Sequence, residues 1–189
     1  MIITIGRAFG SGGHEIGKRL AEDLGLEFFD KVRLMQIAKD RGEVDSSEGF
    51  YSEKPLNSLL CAVSASSCCD KKKNKAFKML ESIGNKGNCV IIGRCSNVIL
   101  RGNKEAVHIF ITGDEEKRIK RIEEEYILKD KDAKRFMEET DEKRRDFHEH
   151  YTDEQWGHGQ NYNLTIDSLS IGIENTVELI KNYIKMRKI

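Results

Sequence analysis

The sequence predicts an α/β protein, a three-layer α/β/α sandwich with a parallel sheet. Three observations carry this. Met1 to Asp30 reads as strand, glycine-rich turn, helix and strand, the opening of a parallel unit. Cys89-Val90-Ile91-Ile92 and Val107-His108-Ile109-Phe110-Ile111 are nearly continuous apolar runs, the pattern of strands buried on both faces. Strand-like and helical patterns then alternate to the end of the chain, which puts helices on both faces of one sheet.

The elements run in order. Ile2, Ile3, Thr4 and Ile5 form the first strand, Gly6 to Gly13 the turn, and about His14 to Leu24 an amphipathic helix. A second strand, Leu26 to Phe29, ends on Asp30, which is placed to cap the next helix. In that helix Val32, Leu34, Met35, Ile37 and Ala38 recur at helical spacing. Residues 41–54 are polar, with Gly42, Gly49 and a serine pair, and predict a loop. Leu56 to Val63 is an apolar helix candidate, Ser64 to Lys73 a surface bend with solvated lysines, and Lys75 to Ile83 a helix stopping near Gly84 and Gly87. The strand Cys89–Ile92 ends on Gly93-Arg94. After Val107–Ile111, Asp114 can cap a highly charged helix of about Glu115 to Leu128, with Arg118 and Arg121 on one face. Residues 129–150 are almost wholly charged and read either as a salt-bridged surface helix pair or as a basic lid closing over phosphates. Tyr151 to Gln160 reads as a loop holding the single tryptophan, Trp156. Tyr162 to Ile166 reads as the last strand. Ile173 to Ile184 reads as a closing helix with Val177, Ile180 and Ile184 as its apolar stripe.

Composition narrows the function. Apolar residues make up 38% and charged residues 34%, and 32 basic residues balance 32 acidic ones. A chain without net charge is not built as a general nucleic-acid or membrane-surface binder. No apolar run approaches the ~18 residues of a membrane span, and Arg7 interrupts the only apolar stretch near the N-terminus, so a cytoplasmic protein is expected. The five cysteines include no C-x-x-C pair and read as reduced thiols.

Ligands of parallel sheets bind beyond the carboxyl ends of the strands. The residues there are Arg7, Asp30, Arg94, Gly113 with Asp114, and Asp167. An anion-binding turn with two arginines and a carboxylate suits phosphate chemistry, which depends on positioning and charge neutralisation. The turn is not an orthodox G-x-x-x-x-G-K-[ST] loop. Aligned on Gly10-Ser11-Gly12, Gly13 stands in the lysine position, His14 in that of the metal-binding hydroxyl, and Arg7 in that of the first glycine. His14 at a helix start has two readings, a neutral imidazole accepting N–H bonds or a charged one attracting phosphate.

Arg7-Ala8-Phe9-Gly10-Ser11-Gly12-Gly13-His14-Glu15 and the residues to Glu22 resemble the opening of the cytidylate kinase-like family of P-loop proteins, which carries R-x-[YF]-G-S-G-G. Phe28-Phe29-Asp30, Gly93-Arg94-Cys95, the R-x-x-R of Arg118 and Arg121, Asp141-x-x-Arg144, and the tail from Tyr151 to Leu164 extend the resemblance. It implies a P-loop kinase-like fold with a helical lid. One domain would cover 1–189, with about 31–86 as a helical acceptor-binding insertion and about 122–150 as the lid. It implies ATP and Mg²⁺ as cofactors, with ATP phosphates on Gly10, Ser11, Gly12, Gly13, His14 and Glu15. The substrate would be CMP or dCMP, bound between strand ends and middle helices. Arg94 would grip the acceptor phosphate, Asp30 would sit near the acceptor or the metal, and Arg118, Arg121 and Arg144 would make lid and phosphate contacts. Arg7 is the candidate to replace the lysine. Ser11, His14 or Glu15 would replace the loop hydroxyl, with no dedicated metal ligands predicted.

Two classes of function remain. One is a nucleotide kinase transferring the ATP γ-phosphate to a nucleoside monophosphate, with a kinase of another small acceptor as its variant. The other is a regulatory module that binds nucleotide or phosphate without transfer.

Overall fold

The computed structural model describes residues 1–42, 50 and 68–188. Strand β1 (Ile2–Arg7) lies at the centre, hydrogen-bonded in parallel to β3 (Cys89–Ile92) and to β4 (Ala106–Thr112). In this register Ile3 sits between Val90 and Val107. The short β2 (Glu27–Phe29) joins beyond β3, and β5 (Leu164–Asp167) beyond β4, so the order is β2-β3-β1-β4-β5, all parallel. The predicted sandwich is therefore present, a five-stranded parallel sheet flanked by helices.

The period of two in each strand divides the core. Ile3, Ile5, Val90, Ile92, Val107, Ile109 and Ile111 face α1 (Gly13–Leu24) and α8 (Ile173–Arg187), meeting Ile16, Leu20, Val177, Ile180 and Ile184. Ile2, Cys89, Ile91 and Ala106 face the other way, onto Leu34 of α2 (Lys31–Asp40), Leu80 of α3 (Cys68–Asn85) and Tyr151. Each fully buried isoleucine is worth about 1.5–3 kcal/mol, and the two layers together lock the register. A third, smaller cluster joins Ile119 and Ile122 of α5 (Glu115–Tyr126) to Ala133 and Met137 of α6 (Asp130–Thr152), with Phe9 of the glycine-rich turn packed against it.

Several boundaries differ from expectation. The bend expected over Ser64 to Lys73 is helical from Cys68 onward, because no glycine or proline interrupts the chain there and lysine is a good helix former. The charged stretch is one 23-residue helix rather than a helix pair, and it runs through Tyr151 and Thr152, which were expected in a loop. Tyr151 is pulled into the core, and the helix ends two residues later, where Asp153 turns left-handed. The last strand begins at Leu164 rather than Tyr162, whose ring packs instead on Phe110 at 5.1 Å. A four-residue helix α4 (Ser96–Ile99) comes after the turn that ends β3, and another, α7 (Ser168–Ile171), after β5. The helix expected at Leu56 to Val63 lies outside the described residues.

On the face opposite Ile3 and Ile5, Thr4 Oγ1 and His108 Nδ1 hydrogen-bond at 2.8 Å across neighbouring strands, both buried. Burial pushes the His108 imidazole down to about 4, with Arg101 and Arg187 acting in the same direction. The unfolded imidazole takes a proton near pH 6.5, so between about 6.5 and 4 the unfolded chain binds more protons than the native one. Stability is thus full above that window and falls as pH drops through it. His108→Gln is expected to remove roughly 2 kcal/mol of the loss between pH 7 and 5, read from urea midpoints; parallel pH slopes for the two proteins would refute this.

Candidate functional site

The glycine-rich turn is shaped by steric exclusion. Gly10 and Gly12 have φ of 76° and 75°, the left-handed region where glycine costs nothing. A Cβ on Gly10 would come within 2.9 Å of the Arg118 carbonyl oxygen, and one on Gly12 would collide with Ile173. The turn is held from behind by hydrogen bonds. Ala8 N–H donates to Ile111 O at 2.9 Å, Ser11 Oγ donates to Ala8 O at 2.7 Å, and the buried Ser168 Oγ donates to Ser11 O at 2.5 Å and Thr112 O at 3.1 Å. Helix α1 begins directly from Gly12, which brings no side chain to cap its first N–H groups. Uncapped first-turn N–H groups with the positive end of the helix dipole form an anion site. They open on a cavity of about 340 Å³ lined by Arg7, Gly10, Gly12, Gly13, His14, Glu15, Arg121 and Arg144, among others.

Arg7 and Gly13 fit together by size. A Cβ on Gly13 would lie 2.5 Å from Arg7 Cβ, so the space beside Gly13 is already filled by the arginine stem. The Arg7 guanidinium extends to Gly93, where a Cβ would collide with Nη1. Arginine in the first-glycine position and glycine in the lysine position are thus one exchange: the cation enters the loop from the other side.

Asp141 and Arg118 clamp the turn. Phe9 N–H donates to Asp141 Oδ1 at 2.7 Å, and Arg118 Nε donates to Phe9 O at 2.7 Å. Arg118 Nη2 pairs with Asp141 Oδ2, and both side chains are 12% exposed. Arg118 therefore stands behind the loop, engaged with its backbone. Arg144 is 3.9 Å from Asp141 Oδ1, donates to Arg7 O at 3.2 Å, and lies over the Phe9 ring at 5.4 Å. Asp141, Arg144 and His148 share one face of α6, at spacings of three and four.

Glu15 accepts from Arg121 Nη2 at 2.8 Å and from Arg19 Nη2 at 2.7 Å, so Arg121 meets the loop through a carboxylate. His14 Nε2 lies 3.2 Å from Asp30 Oδ2. Asp30 also caps α2, accepting from Arg33 N–H at 2.9 Å. Partial burial raises the Asp30 carboxyl, but the Arg33 N–H and His14 outweigh it and hold the group below its ordinary value. Ser11 Oγ is buried and turned to Ala8, away from the hydroxyl role considered for it. Lys18 is exposed, 4.0 Å from Glu22.

Beyond Gly93 the backbone is strained. Gly93, Arg94 and Cys95 have φ of 69°, 58° and 55° in succession, and non-glycine residues rarely accept this. The turn buries Cys95 and directs Arg94 into the helical layer. There Arg94 Nη1 donates to Phe50 O at 2.6 Å, with its guanidinium 5.1 Å from the Phe147 ring. A second, narrower cavity of about 30 Å³ lies here, lined by Arg7, Arg94, Asn97, Arg144, His148, Trp156 and Tyr162, among others. Arg7 and Arg144 line both cavities.

The structure thus brings Arg7, Arg144, Gly10, Gly12, Gly13, His14, Glu15 and Arg121 to one cavity, with Asp30 bonded to its rim and Arg94 on the second cavity. Sequence reasoning missed Asn97 and His148. The spacing of His148 from Arg144 was the available signal for the second of them.

Among the described residues no group of three or more His, Cys, Asp or Glu side chains could cage a metal ion, and no helix is long and apolar enough to cross a membrane. Magnesium ordinarily takes one or two carboxylates together with phosphate oxygens and water. Asp30, ionised and beside the loop, fits that partial role.

The sequence model of the cytidylate kinase-like family matches residues 2–170. Among solved structures, the chain is similar to an uncharacterized protein from Eubacterium ventriosum ATCC 27560, at 27% identity and TM-score 0.77 over 98% of each chain. It shares the fold of a shikimate kinase from Bacteroides thetaiotaomicron (15% identity, TM-score 0.58, 98% of each chain). It also shares that of a gluconokinase from Sinorhizobium meliloti 1021 (13% identity, TM-score 0.54, 97% of this chain and 93% of the other). No curated protein matches the chain.

Two pairs of variants test this geometry. Asp141→Ala leaves Arg118 and the Phe9 N–H without their partner and is expected to cost about 3–5 kcal/mol in urea unfolding, whereas Asp141→Asn, which keeps an acceptor, loses less. Gly13→Lys is expected to destabilise by about 1–3 kcal/mol through overpacking against Arg7, and Arg7→Gly in the same chain should recover that loss. Additive losses in the double variant would refute the exchange.

Proposed function

The chain belongs to the cytidylate kinase-like family, and on that premise we propose that it is a cytoplasmic nucleotide kinase, transferring the γ-phosphate of ATP to CMP or dCMP with Mg²⁺. The observation that carries this is the position of Arg7 and Arg144, which line both the loop cavity and the narrower one beside Gly93. A phosphoryl group passing between two bound phosphates needs positive charge at the boundary, and planar guanidinium groups bind phosphate oxygens in pairs.

Each residue has a part in this reading. The first-turn N–H groups of α1, with Gly10, Gly12 and Gly13 leaving room for close approach, receive the donor phosphates. Arg7 supplies the charge that a loop lysine carries elsewhere. Arg144 bridges donor and acceptor from α6. Arg121 reaches donor phosphates by exchanging Glu15 for them, and Arg118 acts through the loop it supports. Arg94 faces the acceptor. Asp30 is the residue that would hold Mg²⁺, with His14 orienting its carboxylate. The bound ion would neutralise charge on the phosphates. Residues 122–150, anchored to the loop through Asp141, form the lid, and the helical part of 31–86 borders the acceptor.

One observation favours a second reading, nucleotide binding without transfer: Gly13 brings no side chain to the position where the loop lysine would stand. A coupled assay with ATP and CMP, dCMP, UMP or AMP separates the two. Turnover with CMP or dCMP is expected, reduced roughly a hundredfold or more in Arg7→Ala. Tight ATP binding without turnover on any acceptor would select the binding reading, and unchanged turnover in Arg7→Ala would remove Arg7 from catalysis.

A further inference from the structure

The turn between α5 and α6 carries an isoleucine in a position that suits glycine. Ile127 ends α5 with φ of 55° and ψ of 45°. This left-handed conformation after a helix is the ordinary place of glycine or asparagine, and a β-branched side chain there is an outlier. The strain secures no internal contact of any size, since Ile127 is 93% exposed. The turn is nevertheless well held. The N–H groups of Ile127 and Leu128 both donate to the Glu123 carbonyl, the second at 3.2 Å, and Leu128 packs on the cluster of Ile119 and Ile122. A single exposed isoleucine is ordinary on a protein surface. One held outward on a strained, hydrogen-bonded turn calls for a reason.

Beside this tip lies a hollow that would receive it. The hollow, open and about 640 Å³ in volume, is lined by the apolar Tyr126, Leu128 and Phe136 and by Asp132, Arg135 and Glu139. Its walls come from the residues on either side of Ile127 and from α6, and Ile127 lines none of it. The isoleucine therefore does not fill the hollow of its own chain. A tip and a hole in one patch are the condition for an isologous contact, in which two copies related by a two-fold axis each insert into the other. The charges favour the same occupant. Asp132, Arg135 and Glu139, at spacings of three and four, present both signs on one face of α6, whereas a partner of a single sign would meet its own charge there. Arg135 pairs within the chain to Asp132 at 3.2 Å and to Glu139 at 3.9 Å, but all three side chains are more than half exposed. Such pairs are worth little, so exchanging them for the carboxylates of another copy costs little.

We infer that the α5–α6 turn is a self-association surface: Ile127 of each copy seats in the hollow of a second copy, with Arg135 facing the other copy's Glu139. This goes beyond the kinase reading and does not depend on it. A patch made of one turn and one helix face lies at the low end of specific interfaces, so the dimer is weak and depends on concentration.

Sedimentation velocity of the full chain from about 1 to 500 µM tests this. The wild type is expected to pass from monomer to dimer across that range. Ile127→Asp should weaken association about tenfold or more. Ile127→Gly should do the same while its melting temperature stays level or rises, because glycine takes the left-handed turn without strain; this separates a lost contact from a damaged fold. Arg135→Glu and Glu139→Arg, each alone, set like charges across the axis and should leave monomers. An equimolar mixture of the two should recover the dimer, since opposite charges then face each other. A wild type that stays monomeric to the top of the range would overturn the inference, as would a dimer that both Ile127 variants leave intact. Association lost in Met186→Asp instead would put the interface on α8, where Leu179 and Met186 are exposed, and would overturn it equally. A mixture that stays monomeric would refute the facing of Arg135 and Glu139.

Discussion

The buried carboxylate of Asp141 is the interaction on which the site depends. It accepts the Phe9 N–H, pairs with Arg118, and lies beside Arg144, which in turn holds the Arg7 carbonyl. A carboxylate with so little exposure is tolerable only when its partners are in place, since removing one leaves an uncompensated charge. The constraint therefore works in both directions. The loop and α6 fix each other's position beside the cavity that the loop lines. Phe9 adds the apolar half of the same junction, edge-on to Phe136 at 5.0 Å and packed against the cluster of Ile122 and Met137.

From that junction the charges around the site sort themselves by partner. Arg118 is engaged with the loop backbone and Asp141, Arg121 pairs with Glu15, and Arg7 and Arg144 line both cavities. The exchange of Arg7 with Gly13 is the local solution to a packing problem: a side chain can fill that space from one position or the other, and here it comes from the strand end rather than the helix start. The strained turn at Gly93 to Cys95 is the counterpart on the next strand, holding Arg94 and Asn97 where an unstrained helix start would not put them.

Much of this was legible in the residues. The continuous apolar runs located β3 and β4, and their two-sided burial is what such runs imply. Glycines at Gly10 and Gly12 marked positions that only glycine fills comfortably. Asp30 and Asp114 were readable as helix caps, and both accept the expected N–H bonds. Less legible was anything decided by what a charged side chain meets. The R-x-x-R spacing put Arg118 and Arg121 on one face of α5, yet one supports Phe9 and the other pairs with Glu15. The charged stretch after residue 129 allowed a helix pair or a lid, and a single helix resulted because Tyr151 and Ala133 anchor both ends of it in apolar clusters.

Residue order alone was enough to set the α/β layering, the parallel sheet, the glycine-rich turn and the lack of a lysine in it. Those features depend on local periodicity and on backbone angles that only certain residues adopt. Packing in three dimensions was needed to place Arg7 in the space beside Gly13, to join the loop through Asp141 to a helix more than a hundred residues away, and to bring Asn97 and His148 to one cavity without partners among the described residues. The physical reason is range: periodicity and turn chemistry act over a few residues, whereas the partner of a buried charge or amide is chosen by packing between segments distant in the chain.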